Sequence, residues 1–390
     1  MNVITKTSDL AALCSRLARH PYVAVDTEFM RETTFWPKLC LIQLAGPEDA
    51  ACIDPLAAGI DLAPFHALMA DTNVLKVFHA ARQDVEIVYV MGKIIPQPLF
   101  DTQVAAMVCG FGESISYVNL VKQLTNADID KTSRFTDWAR RPLSVKQLEY
   151  ALGDVTHLCE VYLKLRDELE ATGRADWLEQ EMAVLKDPNS YETKPEDSWR
   201  RLKAKVRGRK GLAVLIELAA WRERAAQAQD VPRNRILRDE QLYDIANHAP
   251  TEVEQLADMR SLSTGFARSG RAREIIDCVQ AGLKRDMKTL PAQEQGVMVP
   301  PEKIALVELL RVLLKASAAR NRVAPRLIAD TEDIERIAVE NSPDVPALKG
   351  WRRELFGEDA LRLKAGELAI SVEGGQVVTV PVPQRALAQD

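Results

Sequence analysis

The chain is short of the features that usually settle a function at sight. Its six cysteines, Cys14, Cys40, Cys52, Cys109, Cys159 and Cys278, are scattered. They form no Cys-x-x-Cys pair and no Cys/His grouping at zinc spacing, which excludes a disulfide scaffold and a zinc module. No apolar run approaches the ~20 residues that a bilayer span requires, and no signal-peptide pattern opens the chain. A reduced, cytoplasmic protein without a membrane partner is expected. No Gly-x-x-x-x-Gly-Lys-Ser/Thr loop occurs, so there is no sign of a nucleotide-driven motor. One-signed charge is also missing: the net of −5 argues against a general nucleic-acid coat protein.

What is present is an ordinary globular composition, 47% hydrophobic and 27% charged over 390 residues, enough for two or three domains. The modest net charge conceals an asymmetry. Residues 1–190 carry 18 Lys and Arg against 26 Asp and Glu, whereas the remaining 200 carry 33 against 30. Residues 194–238 alone hold 13 basic and 5 acidic side chains. An acidic half joined to a half with a basic entrance suits an enzyme that gathers cations in one place and attracts a polyanion in another.

The first ~185 residues alternate β-rich runs (23–29, 39–45, 51–53, 74–78) with helical patterns (80–91, 143–169), which indicates an α/β layer with helices on a mixed sheet. Two prolines and few apolar residues mark 187–195 as a linker. Beyond it the pattern is helical: 212–227, 240–248, 252–259 capped by Thr251, and 269–284 form one compact bundle, and 302–318, 330–339 and 346–356 a second. The tail, 368–382, alternates around Glu373-Gly374-Gly375 as a hairpin. The expected division is 1–187 (α/β domain), 188–207 (linker and basic helix), 208–288 (first bundle), 296–366 (second bundle) and 367–390 (hairpin or tail).

The chemistry begins at Val23-Ala24-Val25-Asp26-Thr27-Glu28-Phe29. Alternation along a strand points Asp26 and Glu28 the same way at the carboxyl end of an apolar run. Two carboxylates held that close repel, and burial worsens the repulsion. A hard divalent cation compensates them while keeping positions open for water and phosphate. Asp84 falls in the first turn of a helix that follows an apolar strand, at the sheet edge where ligand sites gather. Tyr150 and Asp154 stand at i and i+4 on one helix face. Taken singly, Asp84 reads as a cap, Tyr150 as a packing residue and Asp154 as an ordinary helix acid. Gly153, inside that helix, suggests the close approach of another backbone.

The order Asp-x-Glu, then His79-Ala80-x-x-x-Asp84, then Tyr150-x-x-x-Asp154 preceded by Asp137-Trp138-x-x-Arg141-Pro142-Leu143, resembles the tyrosine branch of the DEDD 3′–5′ exonucleases. Within that branch it is most similar to the bacterial ribonuclease D family. The likeness extends through Leu39-Cys40-Leu41-Ile42-Gln43-Leu44, Ile53-Asp54-Pro55-Leu56 and Asp101-Thr102-Gln103. It implies a ribonuclease H-like α/β exonuclease domain followed by two small all-α bundles of the helicase-and-RNase-D C-terminal (HRDC) type, the second divergent. It further implies two divalent ions, Mg²⁺ or Mn²⁺, roughly 3.5–4 Å apart. Asp26 would bridge them, Glu28 and Asp154 would complete the coordination of the first ion, Asp84 would hold the second, partly through water, and Tyr150 would orient the attacking water. Thr27 and Phe29 would contact or stack on the terminal nucleotides, and His79 would buttress the site.

The resemblance therefore implies a metal-dependent 3′–5′ exoribonuclease releasing 5′-mononucleotides, acting on 3′ ends of precursor tRNA and other small structured RNAs, and monomeric. The basic stretch from Trp199 to Lys210 surrounds one aromatic with seven cations. Its Arg200, Arg201, Lys203 and Lys205 are candidates for tracking the RNA backbone. Two other functions fit parts of the pattern: the same hydrolysis on single-stranded DNA, and a non-catalytic RNA-binding protein on a dead nuclease fold. The retention of all four carboxylates and Tyr150 argues against the last.

Overall fold

A computed structural model describes residues 3–130, 136–203, 206–263, 265–291 and 297–383. Helix α1 (Thr7–Leu17) precedes strands β1 (Tyr22–Met30), β2 (Lys38–Ala45) and β3 (Ala50–Ile53). Then come α2 (Ala63–Ala70), β4 (Leu75–Phe78), α3 (Arg82–Gly92), β5 (Leu99–Asp101), α4 (Thr102–Val108), α5 (Tyr117–Thr125), α6 (Val145–Thr172) and α7 (Ala175–Lys186). The sheet runs β3-β2-β1-β4-β5, antiparallel among the first three strands and parallel from β1 through β5. This is the mixed α/β layer that the alternating pattern predicts. Residues 22–25 are buried, so both faces of β1 are covered and the strand reads as continuous apolar sequence up to Asp26.

The register of β1 on β2 shifts between Glu28 and Phe29, one residue past the acid pair. A bulge at that point breaks the alternation and re-aims the strand as it leaves the sheet. Helix α6 starts from a capping box in which Ser144 and Gln147 satisfy each other's backbone amides. The Asp137-Trp138-x-x-Arg141 segment anchors that start. Arg141 forms a bidentate pair with Asp54 at 2.7 and 2.7 Å and donates to the carbonyls of Trp138 and Cys40.

The basic stretch differs from its expectation. Instead of one helix, the described part is a 3₁₀ segment over Pro195–Arg201, with Leu202 and Lys203 outside any regular element and Gly208–Lys210 opening the next helix; the dense like charge disfavours a longer helix. Trp199 and Leu202 pack on the core of the first bundle. That bundle comprises α8 (Gly208–Gln229), α9 (Arg233–Ile236), α10 (Asp239–His248), α11 (Val253–Ala257) and α12 (Gly270–Lys284). The second set repeats the opening order with α13 (Ile304–Asn321), α14 (Pro325–Ile328) and α15 (Thr331–Val339). It closes on α16 (Gly350–Arg352), which runs through a π turn over Arg353–Gly357 into α17 (Glu358–Lys364). In both sets the long helix stops at a left-handed residue, Asp230 or Arg322. The tail is the expected hairpin, β6 (Leu368–Glu373) and β7 (Gln376–Pro381), turning on Gly374 and Gly375, both with positive φ.

The two sets attach differently. The second shares one continuous core with the α/β layer. Trp351 stacks on Trp177 with ring centroids 4.3 Å apart, Arg352 pairs with Glu181, and Arg174 donates to the carbonyls of Asn321 and Arg322 at 2.6 and 3.0 Å. At Gly110 the backbones touch: any Cβ would lie 2.5 Å from the Arg322 carbonyl oxygen. The first set keeps its own core and admits a single deeply buried side chain from the α/β layer, Phe35, 4% exposed, from the loop after β1.

Candidate active site

Strand β1 supplies Asp26 and Glu28 and helix α6 supplies Asp154. Oxygens of the three carboxylates lie within 4.8 Å of one another, the one such group of ligating side chains among the described residues. Burial pushes the Asp26 carboxyl up to about 6. Asp84, on α3, is held well above the usual carboxylate range by burial and then by the charge of Asp26. Its Oδ1 accepts a 2.5 Å hydrogen bond from Thr27 Oγ1. Such a set of hard, crowded oxygens fits a divalent cation such as Mg²⁺ or Mn²⁺, which would relieve the repulsion that raises these groups.

Tyr150 stands one helical turn before Asp154. Its phenol is pushed up by burial and then by the charges of Asp154, Glu28 and Asp26, so it stays protonated and acts as a donor. These groups border a cavity of about 310 Å³ lined by Asp26, Tyr150, Asp154, His79, Gln103 and Tyr117, among others. His79 Nδ1 lies 3.0 Å from Thr102 Oγ1, and burial lowers the imidazole to about 4, so the ring is neutral near pH 7.

One expectation about the nucleotide contacts, that for Thr27, does not match the placement. Thr27 is 6% exposed, and its hydroxyl is spent on Asp84. Alternation turns it away from Asp26 and Glu28, so it serves the site by orienting an acid. Phe29 is half-buried, packed against the main core. Gly153 makes no close backbone contact: a Cβ there would meet only His157 of the same helix, at 4.0 Å. In the basic stretch, Arg200 lies over Trp199 and pairs with Asp197 at 3.2 Å. Lys203 is exposed, and Lys205 lies outside the described residues. Arg201 lines a cleft of about 680 Å³ between the loop after β1 and the first bundle, together with Arg31, Phe35, Arg233 and Arg238.

Sequence reasoning assigned no role to Asp101 or Tyr117. Ala80 takes a left-handed φ of 58°, unusual for a residue with a Cβ, and Asp101 holds it there by accepting from the amides of Ala80 and Ala81 at 2.9 and 2.8 Å. That turn launches α3 and so places Asp84. Tyr117 donates to the Asp154 carbonyl oxygen at 2.5 Å, fixing the α6 turn that bears the acid. The signal for Asp101 was its position as N-cap of the next helix, where its oxygen also accepts from Gln103.

Crowded carboxylates at the carboxyl edge of a mixed sheet, with a protonated phenol beside them, suit metal-assisted phosphodiester hydrolysis. The class is that of the 3′–5′ exonucleases: residues 1–170 match the family described as 3′–5′ exonuclease, and residues 211–279 match the HRDC domain. The ribonuclease D of Nitrobacter hamburgensis is 53% identical over 97% of this chain and 99% of its own length. That of Granulibacter bethesdensis is 51% identical over 96% and 95%. The crystal structure of Escherichia coli RNase D, an exoribonuclease involved in structured RNA processing, superposes with a TM-score of 0.79 at 30% identity, covering 94% of this chain and 99% of that one. The chain belongs to the ribonuclease D family, hydrolytic 3′–5′ exoribonucleases of a metal-dependent class.

Proposed function

We propose that this exoribonuclease removes 5′-mononucleotides from the 3′ ends of precursor tRNA and other small structured RNAs, using two Mg²⁺ or Mn²⁺ ions at the acid cluster. The observation that carries the reading is the meeting of Asp26, Glu28 and Asp154 oxygens within 4.8 Å, beside a cavity that Asp26, Asp154 and Tyr150 line. Asp26, Glu28 and Asp154 would hold one ion and Asp26 with Asp84 the other. Bound divalent ions make water a nucleophile near neutral pH and stabilise a leaving 3′ oxygen. Tyr150, protonated, donates a hydrogen bond that orients the attacking water and takes no proton from it. Neutral His79 braces the cavity wall through Thr102, and Thr27 and Asp101 keep Asp84 and its helix in place.

The cleft carrying Arg31, Arg201 and Arg238 gives the strand a basic path from the end of β1 to the first bundle. The second helical set, which repeats the helix order of the HRDC bundle, is read as a divergent second copy. The structured-RNA substrate is taken from the Escherichia coli relative and from the need to admit a single-stranded 3′ end while excluding a folded body.

The test uses 5′-labelled single-stranded RNA with Mg²⁺ or Mn²⁺, and EDTA, circular RNA and single-stranded DNA as controls. Stepwise shortening of linear RNA with metal alone is expected, and cuts in the circle or metal-independent loss would refute the reading. Asp26→Asn and Asp154→Asn should each lower turnover at least ~10³-fold, several kcal/mol of lost stabilisation, while RNA binding holds.

A further inference from the structure

Strand β2 is apolar through the sheet, with Leu41, Ile42 and Leu44 fully buried, yet Gln43 stands among them with 0% exposure. Neither Nε2 nor Oε1 of its amide has a hydrogen-bond partner among the described residues. A buried amide left unpaired weakens a fold, and any aliphatic residue would avoid that loss. Its position supplies a reason for the polar group. In the β1–β2 register Gln43 lies directly opposite Asp26, and Glu28 opposite Leu41. Directly opposed residues share a face, with Cβ atoms roughly 4.5–5.5 Å apart. Gln43 therefore projects into the layer that holds Asp26 and Glu28, beneath α6. Of the buried, unpartnered polar side chains, it is the one in register with a carboxylate of the site.

The chemistry of the two groups is complementary. An ionised carboxylate only accepts hydrogen bonds, and an amide nitrogen carries two donors. We propose that Gln43 is a positioning residue for the metal site: its amide donates, directly or through one ordered water, to the Asp26 carboxylate, fixing that group's rotation once it is charged. The inference rests on reading the acid cluster as the metal site. Outer partners of this kind orient ligating groups, and their loss weakens metal binding by about 10–100-fold.

Gln43→Met keeps length and bulk and removes both donors. If Gln43 were only a buried polar residue, methionine would leave the protein as stable or more stable and change nothing else. The inference predicts that same unchanged or higher melting temperature in EDTA, together with an Mn²⁺ midpoint, read from metal-induced thermal stabilisation, weakened about tenfold or more. The kcat should fall while KM for RNA holds. Greater stability with an unchanged Mn²⁺ midpoint and kcat would overturn the inference. Should methionine prevent folding, Gln43→Leu removes the donors with a second apolar side chain; a weaker midpoint supports the inference and an unchanged or tighter one overturns it. Wild-type protein whose unfolding ignores Mn²⁺ would overturn the acid-site reading, and this inference with it.

Discussion

The two helical sets open with the same order of elements and are fastened to the catalytic layer in contrasting ways. The second is continuous with it, through a stacked tryptophan pair, a half-buried ion pair and backbone contact at Gly110. The first is plugged in. Phe35 enters its core, Asp230 accepts from the amides of Phe35 and Trp36 at 3.0 and 3.0 Å, and Arg233, paired to the buried Glu223, lies over the Phe35 ring. That plug sits on the loop leading directly out of the strand that carries Asp26 and Glu28. The contrast separates two kinds of attachment: one set is continuous with the core of the catalytic layer, and the other is joined to it at the loop that leaves the acid-bearing strand.

The largest effects should separate the two attachments. Trp351→Ala and Phe35→Ala each remove a buried aromatic and should each cost about 3–5 kcal/mol. In calorimetry Trp351→Ala should lower the main transition of the catalytic layer. Phe35→Ala should leave that transition in place and bring forward a smaller one from the first set. If Phe35→Ala lowers the main transition as much, the two attachments are equivalent and the contrast fails.

Next in size is a cost that the catalytic layer carries by itself. The folded Asp26 carboxyl titrates at about 6 against a usual 3.8, so its charged form opposes folding above that range. Wild-type protein in EDTA should therefore gain stability as the pH falls from 7 toward 5. Asp26→Asn should be more stable than wild type at pH 7 by up to about 3 kcal/mol, and the advantage should vanish near pH 4. Added Mg²⁺ should reverse the order at pH 7. Combined with Trp351→Ala, the asparagine should restore part of the lost stability, which urea unfolding would measure.

Much of this was legible in the sequence, and the misses have physical causes. Period-2 and period-3.6 spacing made it readable that Asp26 shares a face with Glu28 and Tyr150 with Asp154, while their joining into one site came from the family resemblance; the hairpin was readable because Gly374-Gly375 tolerates positive φ. The β1 bulge, the left-handed Ala80 and the partners of Thr27 were not readable, since each depends on a neighbour distant in sequence: Leu39, Asp101 and Asp84. Helices α1, α2, α4, α5 and α7 were passed over, each being 12 residues or fewer beside the 28 of α6. The basic stretch looked helical because charge density shows in composition, and the cost of crowding like charges on one helix was underweighted. The burial of Phe35 was not readable, because the core it enters is made by residues nearly 200 positions away.

A smaller effect should come from loosening the plug without removing it. Asp230→Ala takes the acceptor from two backbone amides at the joint and should cost about 1–2 kcal/mol. It should raise KM for RNA long enough to reach the first bundle and leave turnover of a dinucleotide unchanged. Equal losses on both substrates would mean that the joint shapes the acid site itself.

The smallest effect tests whether the cleft at that joint carries the strand. Arg31, Arg222 and Arg233 each hold an acidic partner there, Glu86, Asp239 and Glu223, so much of their charge is answered within the protein. Arg201 and Arg238 are exposed on the same cleft, and the described ion pairs include neither. If both meet phosphates, replacing them with alanine removes two released counterions, and the slope of log K against log salt should flatten by about 1.4 for a single strand. Dinucleotide turnover should not change, because a substrate that short ends at the acid cluster. The same double substitution with Phe35→Ala should add little to the loss of long-RNA affinity, since unseating the bundle already takes the cleft apart. Fully additive losses would place those two arginines on a path independent of the joint.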